Sequence, residues 1–230
     1  CIINLYLYIF LRRFSNMNPV LKIENLSKSI DDKILFENIN LSIPYGSICC
    51  LIGDNGAGKS VFIDCILGFQ TIDQGIIVIA DQNINNRKLL RINSGIVSSD
   101  HESHLELLTP TEYFELIIGL YNLKNIDNKL KQLINELNVH QFLETPFANL
   151  SFGSKKKIQL IGNLLFEPPL LVCDEIFEGL DEKSVQTVKN IFKTRANNKQ
   201  TTFFTTHIKQ EAEDITTISL ILQDKKIFHI

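Results

Sequence analysis

The chain has 230 residues, 44% hydrophobic and 21% charged, which suits one domain with a full core. Its net charge of −3 comes from dispersed charges of both signs, so no basic face points to nucleic acid, and no nucleic-acid partner is expected. The 5 cysteines show no Cys-x-x-Cys spacing, and adjacent Cys49 and Cys50 point to opposite faces of a strand-like run, which argues for buried thiols and against a disulfide framework.

Cys1 to Leu11 is almost wholly apolar and is followed by Arg12 and Arg13, but it is too short to span a bilayer. Met17, the sole methionine, stands just before the first strand-like segment. Residues 1–16 are therefore read as an extension translated from upstream of the true start. A signal-like segment, an interfacial anchor and the tail of a preceding domain are the alternatives. From Leu21 the chain reads as short strands, with alternation over Asn38 to Ile43 and turn-forming Asp31-Asp32 between two runs, which predicts an antiparallel edge sheet.

Ile48 to Ile52 is an unbroken apolar run, as in a parallel strand buried on both faces. Gly53, Asp54, Asn55, Gly56, Ala57, Gly58, Lys59 and Ser60 follow, with two glycines, a lysine and a hydroxyl at the spacing of a phosphate-binding loop. Its glycines let successive N–H groups turn toward one point at a helix N-terminus, which suits a polyphosphate. Lys59 supplies a mobile charge for the terminal phosphates, and Ser60 an oxygen ligand for Mg²⁺. Phe62, Cys65, Ile66 and Phe69 recur at helical spacing, predicting an amphipathic helix.

Ile76 to Ile79 reads as a further strand, Asp81 to Arg87 as loop, and Ser98 to Leu108 again as loop. Thr109-Pro110-Thr111-Glu112 is a capping box with proline at the first helical position, predicting a helix to about Leu120. Leu130, Leu133, Ile134 and Leu137 mark another helix, and Lys155 to Phe166 a third, opened by Ser151-Phe152-Gly153. The Lys155 to Lys157 run reads as a solvated face, and His101 and His104 as loop residues without a metal role.

The strand–helix alternation then resumes. Leu170 to Cys173 is a buried strand ending at Asp174-Glu175, Val185, Val188, Ile191 and Phe192 lie on a helix, and Thr202 to Phe204 is a strand ending near His207. Ile218 to Leu222 and Lys226 to His229 form a hairpin around Asp224. Ligands in open α/β sheets lie beyond the carboxyl ends of the strands, which is where Asp174 and Glu175 fall.

Over residues 20–230 the chain resembles the ATP-binding subunit of ABC transporters. The resemblance rests on Gly53 to Ser60 as Walker A, Leu150 to Ser154 like the LSGGQ signature, Leu170 to Glu175 as Walker B, Gly179-Leu180-Asp181 as D-loop and His207 as switch histidine. It implies an α/β fold of the P-loop NTPase class, a RecA-like core with an antiparallel β edge subdomain and a helical subdomain insert at about residues 100–165. It also implies ATP and Mg²⁺ as cofactors. Glu175 would be the base or water-orienting group, His207 a γ-phosphate partner, and Asp174, Ser60 and Ser99 the metal-shell residues. The expected assembly is a head-to-tail pair of ATPase subunits, identical or different, in which Ser151 and Gly153 of one contact the nucleotide of the other. A separate membrane permease would place the pair on the cytoplasmic side of the cell membrane.

The chain departs from the family pattern at several positions. Ser99 stands where glutamine is usual, Ile30 where an aromatic ring stacks on adenine, and Val61 where a hydroxyl meets the α-phosphate. Ser154 and Ile176 replace glutamine and proline. None of these removes the catalytic set, so ATP hydrolysis coupled to transport is the leading expectation. Its rivals are an ABC-type module that binds ATP to regulate or assemble a partner with little hydrolysis, and a soluble ATPase serving some other assembly.

Overall fold

The structure, a computed structural model, describes residues 18–98 and 105–230. The readings made of residues 1–16, Cys1, Met17, Ser99, His101 and His104 lie outside the described residues.

The chain opens with β1 (Pro19–Ile30) and β2 (Lys33–Pro44), paired antiparallel around Asp31-Asp32, both at positive φ. Two consecutive left-handed residues make the turn type whose twist matches a hairpin, and aspartate tolerates that conformation better than most side chains. Next come β3 (Ile48–Ile52), α1 (Lys59–Ile66), β4 (Gln74–Ile79), β5 (Gln82–Asn83), α2 (Arg87–Asn93) and β6 (Ser94–Val97). Helices α3 (Pro110–Tyr121), α4 (Asp127–Glu136) and α5 (Phe152–Phe166) precede β7 (Leu170–Cys173). The chain continues with α6 (Glu182–Asn197), β8 (Thr201–Thr206), β9 (Ile218–Gln223) and β10 (Lys226–His229).

The strands form two sheets. The first, in order β2-β1-β4-β5, is antiparallel throughout, as the alternating sequence predicts. The second has 6 strands in order β10-β9-β3-β8-β7-β6, parallel except where β10 turns back on β9. Because β3 is buried on both faces, its alternate residues serve different cores. Ile48 and Cys50 pack with α5, α6 and β7, whereas Cys49 and Leu51 pack with α1 and the antiparallel sheet. Cys49, Cys50, Cys65 and Cys173 are all free and buried, in keeping with the expectation of isolated thiols.

Helix α1 lies between the sheets. Phe62 meets Phe36 of β2 edge-on at 5.5 Å and Phe203 of β8 at 6.2 Å. Phe69 does not join this stripe, because the helix stops before Gly68 and leaves the ring half exposed. A second departure from the sequence reading is α2, which begins at Arg87 after Asn86 accepts a capping hydrogen bond from Leu89 N–H. A 7-residue helix with Leu90 as its one buried residue carries too short a stripe for periodicity to detect. The capping box at Thr109 and Glu112 is present as predicted, and its helix runs to Tyr121.

On the opposite face of the parallel sheet, Phe204 packs between Phe177 at 5.5 Å and Phe192 at 5.7 Å. All three rings are buried, so little around Phe204 can collapse into a void. Phe204→Ala is expected to lower unfolding free energy by about 3–5 kcal/mol, read from denaturant midpoints. Leu120→Ala, at a 65% exposed position, is expected to change it by less than about 0.5 kcal/mol.

Candidate functional site

The loop after β3 has the backbone its glycines require. Gly56 and Gly58 have φ of +81° and +100°, and Gly58 caps α1 with no side-chain cap of its own, leaving the first N–H groups of the helix directed out of the loop. Lys59 is buried and threads back beneath the loop, its Nζ donating to the carbonyls of Gly53 at 2.7 Å and Asp54 at 3.3 Å. Asn55, Gly56, Gly58, Lys59, Ser60 and Val61 line one side of an open cleft of about 610 Å³. Ile30, Asp31, Lys33 and Leu35 of the first hairpin line the other, and Glu175 stands at its end.

Glu175 is the point on which the site converges. Its Oε1 lies 3.2 Å from Lys59 Nζ, and its Oε2 lies 3.0 Å from His207 Nδ1 and accepts from His207 N–H at 3.3 Å. The carboxylate, itself carried after β7, thus sits between groups that follow β3 and β8. Its backbone has φ of +46°, a left-handed conformation that costs a non-glycine residue about 1–3 kcal/mol and persists only when its surroundings hold it.

Part of that hold comes from Thr205, a fully buried residue that the sequence reading did not single out. Its Oγ1 accepts from Glu175 N–H at 2.9 Å and donates to Asp174 Oδ1, so one hydroxyl ties the Asp174 carboxylate to the Glu175 main chain. The available signal was a hydroxyl residue at the end of a buried strand, where an apolar one is usual. Asp174 is itself buried, and its N–H donates to Val97 C=O at 2.8 Å.

Ser151 and Gly153 open α5 and do not line the cleft of their own chain. Ser151 Oγ caps α5, accepting from Ser154 N–H at 3.3 Å. Ser154 is buried, and its hydroxyl accepts from Ser151 Oγ at 2.9 Å. The Lys155 to Lys157 run is not the solvated face it resembles in sequence, for Lys156 has no exposed surface and its neighbours are half-buried. Three consecutive residues spread over about 200° of a helix's circumference, so the lysines do not share one face and Lys156 is the one turned inward.

The small oxygen-donor set suits Mg²⁺, an ion usually held by one or two protein oxygens together with substrate phosphates. Asp174 and the Ser60 hydroxyl would be the oxygens offered to it, and no group of three or more His, Cys, Asp or Glu residues among the described residues could hold a metal alone.

A glycine-rich loop capping a helix, a lysine beneath it and two carboxylates that follow another strand of the same parallel sheet define a nucleotide-binding protein of the P-loop class. Residues 36–178 match the sequence profile of the ABC transporter family, and the chain belongs to that family as an ATP-binding subunit. It is 28% identical to the ergothioneine transport ATP-binding protein EgtV of Helicobacter pylori (strain G27), over 91% of this chain and 100% of that one. It is 30% identical to Nod factor export ATP-binding protein I of Rhizobium leguminosarum bv. viciae, over 90% and 68% of the two chains. The solved structure of an ATP-binding subunit of an ABC transporter superposes with a TM-score of 0.82 at 26% identity, covering 90% of this chain and 88% of that one. The structure of cbiO1 from Clostridium perfringens, part of the ABC transporter complex cbiONQ, shares the fold with a TM-score of 0.73 at 23% identity, over 92% and 87%.

Asp181, which follows Gly179-Leu180, is the N-cap of α6. Its Oδ1 accepts from Ser184 N–H at 2.9 Å and its Oδ2 from Ser184 Oγ at 2.8 Å, and these bonds hold its carboxyl at about 2, below the usual carboxylate range. A value lower in the folded than in the unfolded chain stabilises the fold at pH above about 4, and that contribution is lost as pH falls through about 2. Asp181→Ala is therefore expected to lower stability by about 0.5–2 kcal/mol at pH 7. Denaturant titrations of both proteins from pH 6 down to 2 should show the difference shrinking at the acid end.

Proposed function

We propose that the chain binds and hydrolyses ATP with Mg²⁺ as the motor subunit of an ABC transporter. In this reading it pairs with a second ATPase subunit, identical or homologous, and drives a separate membrane permease from the inner face of the cell membrane. Residues 17–230 would form the ATPase domain, with a helical subdomain at about 100–165. The observation that carries the proposal is Glu175, held between Lys59 and His207 at the end of a cleft whose side is the Gly56–Ser60 loop. No helix among the described residues is long and apolar enough to cross a membrane, so a translocation path is assigned to another polypeptide.

The roles follow from the chemistry of each group. Backbone N–H groups at Gly56 to Ser60 and the Lys59 ammonium bind the phosphates, and Mg²⁺ held by Ser60 and Asp174 would neutralise charge on their oxygens. Glu175 orients water and accepts its proton, while His207 donates a hydrogen bond to the γ-phosphate. Ser151 Oγ and the Gly153 N–H, at the start of α5, serve the nucleotide of the paired subunit. Ser99 would add an oxygen to the metal shell.

Glu175→Gln preserves size and removes the base, so phosphate release should fall by about 10²–10⁴-fold while ATP binding persists. The variant is also expected to accumulate as an ATP-bound dimer on size-exclusion chromatography. Undiminished phosphate release from it would refute the role of Glu175. The aliphatic hairpin wall at Ile30 and Leu35 favours one alternative, a module that binds ATP and turns it over little. Steady-state turnover abolished by Lys59→Ala would contradict that alternative.

A further inference from the structure

A wholly buried lysine requires an account of its charge and its donors. Lys156 lies in the second turn of α5, and its Nζ donates to the carbonyl of Glu175 and to that of Glu178 at 3.2 Å. It also stands 3.9 Å above the centroid of the Phe152 ring, one turn earlier on the same helix, and 3.9 Å from the Glu178 carboxylate. Burial draws its pKa down, while the carboxylates of Glu178, Glu175 and Asp174 draw it up. Backbone oxygens, an aromatic face and an acid thus share the solvation that water would otherwise provide.

These contacts join two pieces of the site. Glu175, in its left-handed conformation, has its N–H held by Thr205, and its carbonyl accepts from Lys156 and from Glu178 N–H at 3.1 Å. The same lysine belongs to the helix whose start carries Ser151 and Gly153. The two pieces are in direct contact there as well, since a Cβ added to Gly153 would stand 2.2 Å from the carbonyl oxygen of Gly179.

We infer that Lys156 is a positioning residue for hydrolysis. It fixes the Glu175 main chain so that the carboxylate meets Lys59 and His207, and it fastens that segment to the start of α5. The donors offered to a paired subunit's nucleotide and the carboxylate serving this subunit's own nucleotide then move as one body. This inference rests on the proposed roles of Glu175 and of Ser151 and Gly153.

The test compares Lys156→Met, which keeps an apolar side chain without donors, with Lys156→Gln, which keeps N–H donors without the charge. Steady-state ATP turnover and amide hydrogen exchange over residues 174–181 are measured on both variants and on the native chain. In Lys156→Met, kcat should fall by about tenfold or more with KM changed by less than about twofold, and Lys156→Gln should recover to within about threefold of the native kcat. Exchange should rise over 174–181 in Lys156→Met and return toward the native level in Lys156→Gln. Native kcat in Lys156→Met, or a Gln variant as slow as the Met variant, overturns the inference. A loss residing in KM alone does the same. If Lys156→Met does not fold, Lys156→Gln decides: near-native kcat and exchange uphold the inference, and collapse of kcat overturns it. If the native chain itself releases no phosphate, the proposed hydrolysis fails, and exchange alone decides Lys156. A rise confined to 174–181 in the Met variant that the Gln variant reverses upholds the tether, and no rise overturns it.

Discussion

The site depends first on the register of the parallel strands. Ile52 pairs with Thr206 and Cys173 with Phe204, so β3, β7 and β8 end within a residue or two of a common line. Whatever follows each strand must then emerge on one edge of the sheet: the phosphate loop after β3, Asp174 and Glu175 after β7, His207 after β8. A slip of one residue in any of these pairings would turn the side chains to the other face and separate the groups. Burial on both faces penalises such a slip, because Cys49, Cys50, Phe203 and Phe204 belong to opposed cores that cannot exchange.

Helix α5 supplies the second constraint. Most of its residues from Gly153 to Leu165 are buried, including the polar Ser154, Gln159 and Asn163. Those polar groups act as fasteners. Gln159 Oε1 accepts from Ser98 N–H at 3.1 Å, and Asn163 Nδ2 donates to the carbonyls of Ile96 at 2.7 Å and Gln159 at 2.8 Å. The helix that begins at Ser151 is thereby fixed to the end of β6 as well as to the Glu175 segment. Buried polar contacts are directional, so they fix α5 along its axis, which an apolar interface leaves free to slide.

The elements legible in the sequence were those with a long stripe or a punctuated end. The Thr109 capping box, the both-face-buried run at Ile48 to Ile52 and the alternation of β2 each carry several residues of consistent signal, and their structures agree. The short α2 and the exposed Phe69 were missed because each turns on a single terminus, at Asn86 and before Gly68, which periodicity does not resolve. At the site, Lys59 could be named from the glycine-rich spacing and Glu175 from its place after a buried strand, whereas His207 could be named only from the motif order of the family the chain resembles. Thr205 and Lys156 could not, since a threonine in a strand and a lysine among lysines look ordinary until tertiary contact gives them partners.

The cleft divides into halves with different sources of affinity. Its phosphate half is built from backbone N–H groups and the Lys59 ammonium, whose attraction depends on the charge of the ligand and not on the base attached to it. The other half is Ile30, Asp31, Lys33 and Leu35, with no aromatic ring among its described lining residues. Ile30 is 38% exposed, so it would offer a base only partial aliphatic contact. Aliphatic contact scales with area alone and lacks the face-on quadrupole term of a ring, which adds about 0.5–1.5 kcal/mol between aromatic partners. Bases of similar area, such as adenine and guanine, would therefore be weakly distinguished on this wall. Selectivity among such bases would fall to the polar groups of Asp31 and Lys33, which are exposed at the hairpin tip. On the proposed function, grip on the nucleotide would then reside mainly in the loop from Gly53 to Ser60, where strand register, glycine backbone and Lys59 act together.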